Sequence, residues 1–299
     1  MRILPKNVSQ KKNKRICIVT GTHGDELEGQ YVCYLLNSLF QKHTDLLDGI
    51  VDIYPTLNPM GISSITRGIP GFDLDMNRVF PGTLDSSMVE SAAAGIIADM
   101  EGADLCIDIH ASNIFLREIP QVRISETTAK ELVPYARLLN VDFIWVHQAA
   151  TVLESTLAHT LNSRNVKTLV VEMGVGMRIT KEYANQLTEG ILCVMKELGI
   201  WKGKTIVPKE PILSLDKNVS FINAACAGVF VPQVVHGQDV KKGDWIGDLV
   251  NPLSGLVLYR IESPCDGMIF TLREYPVADE GSLIARILER KNGGYEDGK

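Results

Sequence analysis

Between residues 15 and 201, short runs rich in β-branched residues alternate with stretches whose apolar residues recur every three to four positions. That alternation admits few folds, because strands separated by helix-length crossovers pair in parallel and carry the helices on their faces. The strand runs are RICIVT (15–20), GIVDIYP (49–55), ADLCIDIH (103–110), VDFIWVH (141–147) and VKTLVVEMG (166–174). Most are continuously apolar, as strands buried on both faces must be. The helical windows are 26–42, with Leu27, Tyr31, Leu35 and Leu39 in periodic positions, then 86–101, 126–140, 152–163 and 180–200. Asp85, Ser125 and Thr180 stand where N-caps belong.

From about residue 203 the pattern changes. Pro208 and Pro211 punctuate a linker, and the remaining chain breaks into short strands between turns at Gly237, Gly243, Gly247, Gly255, Gly267 and Gly281. At 299 residues the chain is longer than one ordinary core fills. The expected architecture is therefore an α/β domain over 1–202, a mixed and mostly parallel sheet flanked by helices, followed by an all-β barrel or sandwich domain over 203–299. No helix is expected in the second part.

Apolar residues make up 45% and charged residues 22% of the chain, a globular composition with enough material for a large core. A net charge of −6 argues against nucleic acid as a partner, since phosphate neutralisation needs clustered basic residues. The one basic cluster, Lys11, Lys12, Lys14 and Arg15, reads as a solvated approach to the first strand. Six scattered cysteines without a C-x-x-C pair fit a reducing compartment. With no signal-peptide core at the N-terminus and no apolar run of about eighteen residues, the expectation is a cytoplasmic protein without a membrane partner.

Chemistry concentrates at strand ends. TGTHGDELEG (20–29) follows the first apolar run and carries His23 and Glu26 three residues apart, with Gly24 read as the turn between them. A catalytic zinc takes three ligands from histidine, carboxylate or cysteine and keeps one position open. A third ligand should come from another strand opening onto the same crevice. His110 closes LCIDIH and meets that requirement, with Asp108 on its own face as an orienting carboxylate. His43, His147 and His159 read as structural or surface residues. His236 and Asp239 lie in a Gly-rich turn of the β region and read as hairpin chemistry.

The loop SITRGIPGFDLDMNRVFPG (64–82) holds Arg67 and Arg78, and arginine is the side chain best shaped to grip a carboxylate. The competing reading ties Arg78 to Asp73 or Asp75 inside the loop. Glu172 ends the strand TLVVEMG, where burial would raise its pKa toward that of a working general base. The alternative for Glu172 is an ion pair with a neighbouring basic side chain.

Taken in order, GTHGDE, DLDMNRVFPG, DIH and VVEMG resemble the succinylglutamate desuccinylase/aspartoacylase family, zinc carboxypeptidase-like deacylases, over most of residues 15–175. The resemblance implies one zinc ion per chain held by His23, Glu26 and His110, with Glu172 as general base. It also implies that Asn77 and Arg78 hold the substrate's carboxylate and that Arg67 polarises the scissile carbonyl. The family uses a tyrosine near the metal, for which Tyr135, Tyr259 and Tyr275 all remain candidates. Met76 replaces the common leucine of the family's DLNR, and Asp25 stands where some members carry asparagine.

The C-terminal region is similar to biotinyl/lipoyl-type barrels but lacks their carrier lysine, which implies a cap or a homo-oligomerisation element. The implied activity is zinc-dependent cleavage of the amide bond in a small N-acylated amino acid. The competing readings are a metallocarboxypeptidase acting on short peptides and a metal-binding module without catalysis.

Overall fold

The computed structural model describes residues 1–6, 13–148, 154–215 and 218–290. Its first part contains β1 (Arg2–Ile3), β2 (Arg15–Thr20), α1 (Glu28–Lys42), β3 (Ile50–Tyr54), α2 (Pro59–Ser64), α3 (Met88–Met100), β4 (Leu105–His110), β5 (Leu116–Ser125), α4 (Ala129–Ala136), β6 (Phe143–His147), α5 (Leu157–Ser163), β7 (Lys167–Gly174) and α6 (Lys181–Glu197). Strands follow: β8 (Ile212–Leu215), β9 (Val219–Asn223), β10 (Gly228–Pro232), β11 (Asp239–Val240), β12 (Trp245–Asn251), β13 (Leu256–Glu262), β14 (Gly267–Arg273), β15 (Val277–Ala278) and β16 (Leu283–Glu289).

Strands β3, β2, β4 and β7 pair in parallel in that order, as continuously apolar runs joined by helices must. One sheet face packs α1 and α6 onto Ile16, Ile18, Leu105 and Leu169. The other packs α3 and α5 onto Cys17, Val19 and Cys106. Each such aliphatic side chain contributes roughly 1.5–3 kcal/mol when fully buried. The architecture is the expected one: a mixed sheet flanked by helices, followed by an antiparallel β region with no α-helix among the described residues.

The ten-residue strand β5 is absent from the strand set expected from sequence. It reads LREIPQVRIS, and a proline within a run argues against a central strand. Pro120 is accommodated because the register with antiparallel β7 shifts between Glu118 and Gln121. At that irregularity β5 also changes partners, pairing through Leu116–Glu118 with β14 and through Gln121–Ser125 with β6. The sheet therefore continues without a break from β7 through β5 into β14, β16 and β9. A second sheet, ordered β13-β12-β10-β15, covers these strands over a core of Phe230, Ile246, Leu249, Ile269 and Ile284. A further cluster joins Phe143 and Trp145 of β6 to Phe270 and Leu288.

Several local expectations shift. Ser87, not Asp85, caps α3 by accepting the Glu90 N–H, and α4 begins after Thr128 because Ser125 is spent on a turn with Thr127. Thr180 precedes α6 but its side chain makes no capping bond. In the basic cluster, Lys14 pairs with Asp104 and Arg15 with Asp52, while Lys11 and Lys12 lie outside the described residues. Residues 152 and 153 of the 152–163 helical window lie outside them too, and the helix there begins at Leu157. No helix among the described residues is long and apolar enough to cross a membrane.

Candidate metal centre

The loop leaving β2 carries His23 and Glu26 directly above the sheet's C-terminal edge. Gly24 is required there for closeness rather than for a turn: its φ is ordinary, but a Cβ would stand 2.0 Å from the Gly61 carbonyl carbon. The contact is fixed by Gly24 N–H donating to Thr66 O at 3.1 Å, which ties the His23 loop to the segment carrying Arg67. A parallel neighbour supplies His110 at the end of β4, and the next strand sets Glu172 in register with it.

Nδ1 of His23, Nδ1 of His110 and the Glu26 carboxylate converge. Glu26 Oε1 lies 2.8 Å from His23 Nδ1, and Oε2 lies 3.1 Å from His110 Nδ1. All three residues are buried, and their potential ligand atoms fall within 4.8 Å of one another, the one such cluster among the described residues. The outward nitrogens face carboxylates as well: His23 Nε2 is 3.0 Å from Asp75 Oδ1 and His110 Nε2 is 3.2 Å from Asp108 Oδ2. Such partners hold an imidazole in one orientation and raise the basicity of the opposite nitrogen.

Electrostatics favour a cation at this point. Burial pushes the Glu26 pKa up, but His110 and His23 override it and hold the carboxyl at about 2. Burial lowers the His23 pKa, yet Asp75 and Glu26 leave it raised overall. Three carboxylates thus surround two imidazoles, with Arg67 the one guanidinium bonded to Glu26, at 3.1 Å. The buried Nδ1 of His23 lacks a hydrogen-bond partner despite its closeness to Glu26. A nitrogen–oxygen–nitrogen donor set with a negative surround fits a divalent ion such as zinc.

Around this cluster lies a cavity of about 1130 Å³ whose lining includes Arg67, Asn77, Arg78 and Glu172. Arg67 also approaches Asp75, at 3.5 Å, so its guanidinium spans two carboxylates at the rim. Asn77 Oδ1 accepts the Leu157 N–H at 2.9 Å, which directs its Nδ2 donor elsewhere. Arg78 is exposed and donates to the Asn77 carbonyl at 2.7 Å rather than pairing with Asp73 or Asp75. Glu172 does have the basic neighbour that its alternative reading requires, Arg123, at 3.4 Å. Burial nonetheless dominates: offset only in part by Arg123 and His110, it raises the Glu172 pKa to about 7.

Other residues escaped sequence reading. Asp75 gave only the weak signal of lying two residues before Asn77. Glu118 and Arg123 were hidden with β5, and Arg286 reaches the cavity from β16. His147 and His159, read as structural or surface residues, both line the cavity. Of the three candidate tyrosines none lines it. Tyr135 packs near Lys167, Tyr259 is exposed on β13, and Tyr275 stands edge-on to Phe115, itself a lining residue. His236 contacts the Tyr183 hydroxyl.

Known proteins share this fold. A curated relative, the N-alpha-acetyl-L-2,4-diaminobutyric acid deacetylase of Halomonas elongata, is 26% identical over 96% of this chain and 86% of its own length. Among solved structures, a product-bound ectoine utilisation protein from Ruegeria pomeroyi superposes with a TM-score of 0.80 at 19% identity, covering 92% of this chain and 85% of the other. A succinylglutamate desuccinylase/aspartoacylase from Rhodobacter sphaeroides gives 0.77 at 21% identity, covering 93% and 86%. At those identities the superpositions speak for the fold. The sequence profile of the succinylglutamate desuccinylase/aspartoacylase catalytic domain matches residues 12–198, and the chain belongs to that family.

Proposed function

We propose that this protein is a zinc-dependent amidohydrolase that removes the acyl group from a small N-acylated amino acid or related derivative. The observation that carries the reading is the convergence of His23, Glu26 and His110 within 4.8 Å beside a carboxylate, Glu172, whose pKa lies at about 7. The Halomonas relative, named for removing an acetyl group from an amino-acid nitrogen, supports an acyl-amino-acid substrate. The six cysteines are free, four of them buried, which suits the cytoplasmic location that is part of this proposal.

His23, Glu26 and His110 would hold the ion. When bound, zinc supplies Lewis acidity and brings the pKa of water at the centre down toward 7. Glu172 takes the proton of the attacking water and returns it to the departing amine, a transfer for which a pKa near working pH is suited. Arg67 donates to the developing oxyanion from the rim, and loss of one such donor typically costs about 3–4 kcal/mol of transition-state stabilisation. Asn77 Nδ2 and Arg78 grip the substrate carboxylate, so the amide is oriented as it is recognised.

The decisive experiment pairs metal analysis with a release assay on acetyl- and succinyl-amino acids and on dipeptides. Glu172→Gln should retain the metal content of the parent while kcat falls about 100- to 10,000-fold. A metal-loaded parent inactive on every amide would end the hydrolase reading. Faster cleavage of dipeptides than of acyl-amino acids would favour a carboxypeptidase instead.

A further inference from the structure

Glu172 stands where the support of the sheet runs out. The pairing of β4 with β7 ends at His110 opposite Glu172. On the other side, the register with β5 shifts between Glu118 and Gln121, the stretch that faces Glu172 to Gly174. A carboxylate that must meet a proton at a fixed place needs a further anchor, since a displacement of about 1 Å can cost about 100-fold in rate.

The residues that follow supply that anchor. Gly174 turns the chain in the left-handed conformation, with φ +71°. Gly176 N–H then donates to Asn113 O at 3.2 Å, in the loop beyond His110, and Met177 N–H donates to Asp25 O at 2.6 Å, between His23 and Glu26. Thr180 N–H donates to Glu28 Oε2 at 2.7 Å, across 152 positions of sequence. Of these three ties, the last is the one made by a side chain.

Glu28 lies in the first turn of α1 and is 0% exposed, and the reaction as described above does not use it. Burying a carboxylate is costly unless donors and dipoles compensate. Its hydrogen bond crosses to the residue that precedes α6, so the positive ends of two helices flank it. The second oxygen, Oε1, has no hydrogen-bond partner and is pressed against Gly174, where a Cβ would stand 2.0 Å from it. The turn after Glu172 is therefore moulded on this carboxylate, and glycine is the residue that fits between them.

We infer that Glu28 is a positioning residue for the reaction: it locks the turn from Gly174 to Thr180 against the loops that carry the candidate ligands, and so holds Glu172 at its distance from the centre. The inference rests on the proposed role of Glu172 as general base. Glu28 does not line the cavity, so it acts through the backbone and not by contact with substrate.

The test compares Glu28→Ala, Glu28→Asp and Glu28→Gln with the parent as metal-loaded full chains, on the acyl-amino acid that the parent cleaves fastest. Aspartate keeps the charge but is one methylene too short for Thr180, whereas glutamine keeps the length and one acceptor. Glu28→Ala and Glu28→Asp should each lower kcat per bound metal at least about tenfold, with KM and metal content within about twofold of the parent. Glu28→Gln should lose less than Glu28→Asp. In the first two variants, amide hydrogen exchange over residues 173–180 should quicken at least about tenfold, while that over residues 105–110 should not.

A merely structural role would lower the folded fraction and leave kcat per bound metal at the parental value. That result overturns the inference while leaving the deacylase intact, as does a loss shared with KM or metal content, or unchanged exchange over 173–180. Activity of Glu28→Gln below that of Glu28→Asp would assign the effect to charge rather than reach, and overturns it too. A parent inactive on every amide ends the deacylase reading and this inference with it. If Glu28→Ala does not fold, Glu28→Asp and Glu28→Gln decide the question.

Discussion

At the scale of single residues, Glu172 and Asn77 make sharp tests because each has two functions that chemistry can separate. Glu172 sits where burial raises its pKa to about 7 against the partial opposition of Arg123 and His110. As a base it must be deprotonated, so activity should fall about tenfold per unit as pH drops below that value. The acid limb of a kcat/KM profile measures this, and the residual activity of Glu172→Gln should lack the limb. Asn77 spends Oδ1 on the Leu157 N–H and, in the proposed role, Nδ2 on the substrate. Asn77→Asp keeps the acceptor and replaces the donor with a negative charge. It should therefore raise KM at least tenfold, by repelling the substrate carboxylate, while the unfolding midpoint stays within about 2 °C of the parent. A loss of stability equal to that of Asn77→Ala would contradict the separation.

At the scale of elements, short strands depend on charges as well as on apolar faces. Asp52 of β3, 2% exposed, accepts Arg2 of β1 at 2.8 Å and Arg15 of β2 at 2.6 Å, so one carboxylate fastens three neighbouring strands. Burial raises its pKa, but the two arginines prevail and leave it lowered. A carboxylate depressed on folding contributes stability above its unfolded pKa and loses that contribution as pH falls through the folded value. Asp52→Asn should cost about 2 kcal/mol at pH 7, with the deficit shrinking as pH falls below about 4. Urea unfolding of both proteins at pH 7 and pH 3 reads the difference, and an equal deficit at both would refute the electrostatic account. Strand β5 shows the converse: Pro120 obscures it in sequence, yet its neighbours Glu118 and Arg123 support the cavity wall.

At the scale of the whole molecule, the division proposed at residues 202 and 203 concerns chain order more than mechanical independence. Strand β14 pairs with β5, and Phe270 and Leu288 pack against Phe143 and Trp145. Arg286 reaches across the same junction to Glu118, 168 residues away in sequence. With a shared sheet and a shared core, unfolding should be a single cooperative transition. Calorimetry would show two separable transitions if the parts were independent. Residues 1–202 expressed alone would expose that core cluster and should not give a soluble, monomeric, cooperatively folding protein.

Much of the fold was legible because its signals are local. Apolar runs that end in His110 or Glu172, and a His-x-x-Glu loop after a buried strand, are properties of a few adjacent residues, and parallel pairing follows from the helices between the runs. Asp75 behind His23, Asp108 at His110, and Arg123 and Arg286 on Glu118 are matters of distance across strands. The sequence by itself determined which side chains stand at the sheet's C-terminal edge, since strand length and alternation are set residue by residue. Only the tertiary structure decided which of them meet and how their charges are shared, because strand order, the bulge at Pro120 and the return of β14 and β16 bring together residues that neighbouring sequence does not relate.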